Sequence, residues 1–268
     1  MTSLIVVGLL ILFVAIAMTM VGKGGANFYV VILAIANIPM HEAATTAQFI
    51  LFCASVAAMI VFKKNKAVSW TLALLVGTLT AFSAFAGGYF SHLFSGFSLK
   101  LVFVVMLVIA GVVMLIPVSE KQNIRENRHL GMMTIYSGRK IYRVNLWIAL
   151  PVAVLTGLGS GMVGVSGGSF LVPLMVLACG LSMHTAVGTA STLIAAIAFM
   201  GFTGHAIQGD FNPLWAVPLA IVAVVGGIVG GKLSLKTKPK DLKMLFAYTN
   251  WLAAFFMAIN AILTKGSI

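Results

Sequence analysis

Two glycine-rich segments interrupt otherwise apolar sequence, and their residue types suit the binding of an anion. They read Gly22-Lys-Gly-Gly-Ala-Asn27 and Val165-Ser-Gly-Gly-Ser-Phe170. Each segment precedes a predicted helix start, where backbone N–H groups without an intrahelical partner and the positive end of the helix dipole favour negative charge. The two segments therefore predict an anion cradle that needs few formally charged side chains.

A second pair of breaks follows downstream, and each contains a Met-His dipeptide. These breaks read Asn37-Ile-Pro-Met-His-Glu42 and Gly180-Leu-Ser-Met-His-Thr185. Hydroxyl and amide side chains just beyond them complete the predicted cradle. The full set of predicted substrate-binding residues is Lys23, Gly24, Gly25, Asn27, Thr45, Thr46, Gln48, Ser166, Gly167, Gly168, Ser169, Thr189, Ser191 and Thr192. Two plainer interpretations stay open, since glycine pairs also serve close helix packing and membrane Ser and Thr often bond to a carbonyl of their own helix.

The ionisable residues near these breaks have more than one interpretation. Lys23 is predicted either to bind the anion or to extend to the membrane interface at the end of the first helix. Glu42 is a counter-ion for Lys23, a proton site, or an N-terminal charge that stabilises its helix. His41 and His184 serve either proton coupling or helix capping. The spacing of these residues matches no metal-ligand motif, so the sequence predicts no metal and no cofactor.

The composition places this chain in a lipid bilayer. Of its 268 residues, 61% are hydrophobic and 8% are charged, and the mean hydropathy is +1.10. A soluble domain carries about a quarter charged residues, so soluble enzymes and nucleic-acid-binding modules are excluded. The net charge of +12 comes mainly from basic loops at 63–66, 118–144 and 232–243. We assign these loops to the cytoplasm, because cytoplasmic loops of membrane proteins concentrate Lys and Arg.

Membrane-spanning helices must position the candidate site residues. A helix of about 20 apolar residues spans a bilayer, and eight such stretches occur, at 3–21, 41–62, 68–90, 99–117, 146–165, 184–205, 211–231 and 243–263. Two shorter apolar pieces, 28–38 and 170–180, reach about half of the hydrocarbon thickness and predict short or re-entrant helices. The predicted fold is an all-α polytopic membrane protein, since barrel strands would alternate apolar and polar residues.

An offset of 143 residues, without a gap, aligns the two halves of the sequence. Gly24-Gly25 then falls on Gly167-Gly168, and Met40-His41 falls on Met183-His184. Equivalent loops have opposite charge bias, since basic 63–66 aligns with uncharged 206–209 and nearly neutral 91–98 aligns with basic 234–241. The pattern predicts two inverted-topology repeats of about five helical segments each, at 1–117 and 145–268, joined by the basic linker 118–144. Both termini are then predicted outside the cytoplasm.

Two short motifs stand out in the second half of the chain. They are Gly164-Val-Ser-Gly-Gly-Ser-Phe-Leu-Val-Pro173 and Ala186-Val-Gly-Thr-Ala-Ser191. This order, a glycine-rich stretch ending in proline and then an Ala-x-Gly-Thr-Ser-like element, resembles the TauE/SafE family of sulfite and organosulfonate exporters. Ser166 stands where that family often has glycine, and Ala190 interrupts the Thr-Ser step. The resemblance implies a duplicated membrane domain that transports small sulfur-containing or carboxylate anions.

The predicted function is secondary transport or export of a small anion by alternating access between the two repeats. A sulfur oxyanion or organosulfonate is the leading substrate class, and the bilayer and this anion are the predicted partners. The sequence contains no ATP-binding loop and no hydrolase motif, so no enzyme activity is predicted. An anion channel and a transporter of small carboxylates remain alternatives, followed by a cation transporter and a membrane scaffold.

Overall fold

The structure, a computed structural model of the chain, describes residues 2–115, 132–137 and 140–265. These residues form helices α1 (Thr2–Met20), α2 (Ala26–Ile35), α3 (Met40–Lys64), α4 (Trp70–Phe90), α5 (Gly96–Leu115), α6 (Leu146–Val163), α7 (Gly168–Leu177), α8 (Met183–Ala206), α9 (Pro213–Lys236) and α10 (Pro239–Lys265). A 3-10 turn, Ser91–Leu93, joins α4 to α5.

The chain is helical because its apolar composition places it in the lipid bilayer. In hydrocarbon, a helix pairs the backbone N–H and C=O groups within one segment. Seven of the described helices are long and apolar enough to cross a membrane, and α1 covers the remaining predicted span with 19 residues. The predicted class, a mostly helical polytopic membrane protein, is therefore confirmed.

The basic linker contains two strands that the sequence did not predict. Strands β1 (Met132–Ser137) and β2 (Lys140–Asn145) pair antiparallel, with Ile135 opposite Tyr142. Both strands contain β-branched and aromatic residues, which favour strand formation once the chain has left the hydrocarbon. Positions 116–131 and 138–139 of the predicted linker lie outside the described residues.

Helices α2 and α7 correspond to the two short apolar pieces of the sequence. Each has ten residues, about 15 Å of helix, which is too short to cross the hydrocarbon. They begin at Ala26 and Gly168, two residues before the predicted starts. Helices α3 and α8 begin at Met40 and Met183. Both kinds of break therefore precede a helix start, as predicted.

Helices α3 and α8 pack against each other in opposite directions. Gln48, near the start of α3, lies next to Gly201, near the end of α8. Phe62, near the end of α3, lies next to Gly188, near the start of α8. Helix α4 packs on α6 and α8, while α9 packs on α1 and α3. The 143-residue offset aligns α4 with α9, α1 with α6 and α3 with α8. It therefore converts one of these two sets of neighbours into the other.

One end of the helix bundle carries the short lysine-rich loops. The Ser69 amide donates to Thr189 Oγ1 over 2.9 Å, and His184 Nε2 lies 3.1 Å from the Thr237 carbonyl oxygen. These contacts bring the α3–α4 loop, the start of α8 and the α9–α10 loop together. We call this the basic end, because it carries Lys63, Lys64, Lys66, Lys236, Lys238 and Lys240.

The opposite end carries most of the histidines. The rings of His41 and His92 stack with their centroids 4.7 Å apart, and His92 Nε2 lies 2.6 Å from Asp210 Oδ2. A ligand atom of His205 lies within 4.8 Å of those of His41 and Asp210. We call this the histidine end. It joins the start of α3, the turn after α4 and the α8–α9 connection.

Candidate anion-binding site

The two glycine-rich breaks meet inside the bundle. Gly168 packs directly on the backbone of Gly22 and Lys23, and a Cβ on Gly168 would collide with the Gly22 carbonyl oxygen. Ile194 touches both Gly24 and Gly168, and it lies near the middle of the 24-residue helix α8. At 1.5 Å per residue, that position is about 17 Å from either end of the helix. The first pair of breaks therefore lies at mid-depth, whereas the Met-His breaks begin α3 and α8 at the ends of the bundle.

Left-handed backbone at three glycines turns the chain between α1 and α2. Gly22, Gly24 and Gly25 have φ values of +77°, +70° and +104°, which side chains larger than hydrogen rarely adopt. The Lys23 amide closes the end of α1 by donating to the Met18 carbonyl over 3.0 Å. The turn places the Lys23 side chain inside the protein, where only 1% of the residue is exposed.

The Lys23 ammonium is held by helix α10. Its Nζ donates to the Phe246 carbonyl oxygen, to Thr249 Oγ1 over 2.9 Å and to Asn250 Oδ1 over 2.8 Å. It also lies 3.8 Å from the centre of the Phe246 ring. Among the described residues, no carboxylate oxygen lies within 4.0 Å of this nitrogen.

This geometry overturns two of the interpretations that the sequence left open for Lys23 and Glu42. Lys23 does not extend to the membrane interface, because its ammonium is buried at mid-depth. Glu42 is not its counter-ion, because Glu42 lies in the first turn of α3 at the histidine end.

Asn27 connects the two glycine-rich breaks through its amide. Asn27 Oδ1 accepts the Ser166 amide N–H over 2.9 Å. Asn27 Nδ2 donates to Ser169 Oγ over 2.9 Å and to Asn250 Oδ1 over 3.4 Å. The Ser166 hydroxyl in turn accepts the Gly168 amide over 3.2 Å. Four predicted residues (Lys23, Asn27, Ser166 and Ser169) thus belong to one buried polar cluster.

Asn250 carries an unused donor inside this cluster. Its Oδ1 accepts hydrogen bonds from Lys23 Nζ, from Ser169 Oγ over 3.2 Å and from Asn27 Nδ2. Three donors facing one oxygen fix the orientation of the amide. Asn250 Nδ2 is buried and has no hydrogen-bond partner among the described residues. A buried donor without an acceptor costs about 1–3 kcal/mol, so the cluster has one donor group available for a ligand.

The hydroxyls beyond the second pair of breaks lie apart from this cluster. Thr45, Ser191 and Thr192 donate to the carbonyls of His41, Val187 and Gly188 over 2.8, 2.9 and 3.2 Å. Each of these acceptors is four residues earlier in the same helix, which is the plainer interpretation that the sequence left open. Thr189 Oγ1 instead accepts the Ser69 amide at the basic end.

The remaining two residues of the predicted cradle are buried at the α3 interface. Gln48 Nε2 donates to the Ser160 carbonyl over 2.7 Å, and its Oε1 is buried without a partner among the described residues. Thr46 is 1% exposed. Neither side chain has a hydrogen bond to the Lys23 cluster among the described residues, so the cluster is built from the first pair of breaks and helix α10.

The three residues considered for proton coupling lie at opposite ends of the bundle. His41 and Glu42 line a cavity of about 430 Å³ at the histidine end, together with Pro39 and residues 209–213. His184 contacts the Thr237 carbonyl at the basic end. The equivalent histidines of the two halves therefore do not form one relay in this arrangement.

Sequence reasoning missed the contribution of helix α10. Thr249 and Asn250 are buried polar residues within the apolar stretch 243–263. A polar side chain inside a membrane helix indicates function by default, and this signal was available from the sequence. The internal repeat did not point to these two residues, because the equivalent positions in α5 are the apolar Met106 and Leu107.

Comparison with known proteins agrees with the motif analysis. Residues 6–257 match the family model described as Sulfite exporter TauE/SafE. The chain belongs to the TauE/SafE family. This confirms the family that its motifs suggested, over nearly the whole length.

Several relatives of this TauE/SafE protein carry transporter names. The probable membrane transporter protein YunE of Bacillus subtilis (strain 168) is 22% identical over 75% of this chain and 74% of its own length. YdhB of the same organism, also a probable membrane transporter protein, is 21% identical over 84% of this chain and 88% of its own length. A probable membrane transporter protein of Xylella fastidiosa is 25% identical over 62% of this chain and 58% of its own length. No solved structure matches the chain significantly.

Proposed function

We propose that this protein is a secondary transporter that exports a small anion, with a sulfur oxyanion or organosulfonate as substrate. The observation that carries the proposal is the buried Lys23 ammonium, which lies beside the unpaired Asn250 Nδ2 and has no carboxylate nearby among the described residues. The sulfur chemistry of the substrate follows from the family description alone.

The charge balance of the Lys23 cluster favours an anionic ligand. Removing an ammonium from water costs several kcal/mol unless charge and hydrogen bonds compensate. Neutral oxygens of Phe246, Thr249 and Asn250 satisfy the hydrogen bonds of Lys23, but they supply no negative charge. An anion supplies that charge, and its oxygens accept the hydrogen bonds that Asn250 Nδ2 lacks.

A small anion also matches the charge and the helix dipole that converge on the two breaks. Lys23 supplies positive charge, Asn250 Nδ2 supplies a side-chain donor, and the start of α7 at Gly168 supplies the positive end of its helix dipole. We propose Lys23, Asn27, Ser166, Ser169 and Asn250 as the core of the substrate site.

We further propose that the site lies between two inverted-topology repeats, residues 1–117 and 145–268, joined by the linker 118–144. The antiparallel packing of α3 and α8 and the exchange of helix neighbours under the 143-residue offset support this proposal. Rocking of one repeat against the other would open the site to each side in turn. Gly168 of the second repeat packs on the Gly22–Lys23 backbone of the first repeat, so the two proposed repeats are in contact beside the site.

The charge difference between the two ends sets the orientation in the membrane. We propose that the basic end, with loops 63–66 and 232–243, faces the cytoplasm. Helix α1 runs parallel to α9, since Gly8 contacts Leu219 and Thr19 contacts Gly230. Both α1 and α9 then begin at the histidine end, so with this orientation we expect the N-terminus outside the cytoplasm. Helix α10 begins at the basic end and so brings the C-terminus outside as well.

Counterflow in proteoliposomes tests the transport mechanism. Liposomes loaded with unlabelled sulfite should accumulate labelled sulfite from outside, with saturation and with faster uptake than empty vesicles. Sulfonates should compete more strongly than acetate or lactate at equal concentration. Sulfite flux without saturation or exchange would favour an anion channel, and stronger competition by the carboxylates would favour the carboxylate alternative. Absence of any sulfite flux would refute the proposed substrate class.

A further inference from the structure

The histidine end brings together three potential metal ligands from the two halves of the chain. Ligand atoms of His41, His205 and Asp210 all lie within 4.8 Å of one another. His41 belongs to α3, His205 lies in the last turn of α8, and Asp210 follows in the α8–α9 connection. His41 lies far in sequence from His205 and Asp210, so the three residues form no local metal-binding motif.

The hydrogen bonds of His205 leave one of its nitrogens free to bind a metal. His205 Nε2 lies 2.7 Å from the Gly161 carbonyl oxygen, which only accepts hydrogen bonds, so this nitrogen carries a proton. In the neutral ring, Nδ1 then holds a lone pair. Ser91 Oγ lies 3.1 Å from Nδ1, but its hydroxyl has a shorter contact of 2.7 Å with the Gly88 carbonyl.

His41 and Asp210 are held in position by contacts that leave ligand atoms available. His41 Nδ1 is buried and has no hydrogen-bond partner among the described residues. The His41 ring stacks on His92 with an angle of 9° between their planes. His92 Nε2 lies 2.6 Å from Asp210 Oδ2, so it orients the carboxylate. Groups that ligate metals are commonly fixed by outer hydrogen bonds of this kind.

We propose that His41, His205 and Asp210 bind a zinc-class divalent ion at the histidine end. Zinc takes imidazole nitrogen and carboxylate oxygen at about 2.0–2.2 Å in tetrahedral geometry, so its ligand atoms are about 3.3–3.6 Å apart. Atoms within 4.8 Å of one another reach that spacing by side-chain shifts of less than about 1 Å each. Two imidazoles disfavour Ca²⁺ and Mg²⁺, which prefer ligand sets made of oxygen.

The surroundings of this site give an ion access and a fourth coordination position. His41 and Asp210 line the cavity of about 430 Å³ at this end, and Glu42 lies on the same wall. Three protein ligands plus an open position are typical of zinc sites that exchange water or small ligands. The negative charges of Glu42 and Asp210 attract a cation to the cavity.

The bound ion would connect the two halves of the protein. His41 lies in the first half, whereas His205 and Asp210 lie in the second. The ion would therefore hold α3 and the end of α8 together at this end of the bundle. Binding itself does not depend on the proposed transport function.

Zinc binding by the purified full-length protein tests this inference directly. The affinity tag is removed and residual metal is stripped with a chelator. Calorimetry and metal analysis after dialysis then measure Zn²⁺ per chain. We expect one saturable ion per chain, unaffected by a hundredfold excess of Mg²⁺. The variants His41→Gln and Asp210→Asn should each weaken binding at least tenfold, and both residues are only partly buried, so the fold should tolerate the changes.

A matched histidine serves as the control for this experiment. His184→Gln changes the repeat-equivalent histidine at the basic end, and it should leave zinc affinity unchanged. His92→Gln should weaken binding through the loss of its contact with Asp210. Wild-type affinity in both His41→Gln and Asp210→Asn would overturn the proposal, as would displacement of zinc by Mg²⁺. An equal loss in His184→Gln would show nonspecific binding and would overturn it too.

Discussion

Replacing Lys23 by methionine separates a role in substrate binding from a role in stability. Methionine keeps most of the apolar stem and removes the ammonium. The acceptors of Lys23 keep other donors, since Thr249 Oγ1 also lies 3.0 Å from the Phe246 oxygen and Ser169 Oγ lies 3.2 Å from Asn250 Oδ1. No acceptor is therefore left unpaired by the change.

The stability change expected for Lys23→Met is small because two large terms oppose each other. Hydrogen bonds from a charged group contribute about 1.5–3 kcal/mol each, and three of them are lost. The desolvation cost of a buried ammonium, several kcal/mol, is removed at the same time, and apolar replacement of buried charges is often neutral. We expect the free energy of unfolding to change by less than about 2 kcal/mol.

The transport change expected for Lys23→Met is much larger. A bound anion loses the attraction of the ammonium, which is about 2 kcal/mol for unit charges about 8 Å apart at an effective dielectric constant of about 20. At about 1.4 kcal/mol per factor of ten, the specific transport rate at low substrate should fall by about 10- to 100-fold.

Sulfite counterflow and thermal unfolding of the same preparations measure the two quantities. Lys240→Met, at an exposed position of the basic end, is the matched control and should transport like wild type. Transport of Lys23→Met within twofold of wild type would refute the assignment of Lys23 to the substrate site. A large drop in melting temperature with unchanged transport would show that Lys23 is structural.

Three further predictions test other parts of the arrangement. Asn250→Leu removes the unpaired donor and should lower sulfite uptake at least tenfold; uptake equal to wild type would exclude this donor from the site. Gly168→Ala forces a methyl group into the opposite break and should lower unfolding free energy by about 1–3 kcal/mol, whereas Gly8→Ala, with its nearest neighbour at 4.0 Å, should not destabilise. In a background without native cysteines, Leu93→Cys should react with an impermeant maleimide in intact cells and Lys240→Cys only after permeabilisation; the reverse pattern would invert the proposed orientation.

Most of the architecture could be predicted from hydropathy. The apolar stretches became helices because lipid offers no partner to an unpaired backbone group. The short pieces at 28–38 and 170–180 became α2 and α7 because the glycines before them end the preceding helices. The strand pair in the linker was not predicted, because hydropathy identifies membrane helices but carries no signal for short strands outside the hydrocarbon.

The candidate site could be predicted only in part. Lys23, Asn27, Ser166 and Ser169 were identified because ionisable and polar residues beside a helix break are costly in lipid and so point to function. The hydroxyl of Thr45, and those of Ser191 and Thr192, had two possible partners, a ligand or a carbonyl one turn earlier. Only the structure shows that each one bonds to its own helix.

The sequence by itself determined that this chain is a helical membrane protein with a duplicated pattern of breaks. The lipid bilayer requires an apolar composition and helices of spanning length, and both can be read from the residues in order. Tertiary structure decided which polar groups meet. Asn250 reaches Lys23 across more than two hundred residues, and His205 joins His41 across more than one hundred and fifty. Such contacts depend on how helices pack, and packing is set by the whole set of small residues at their interfaces rather than by any local motif.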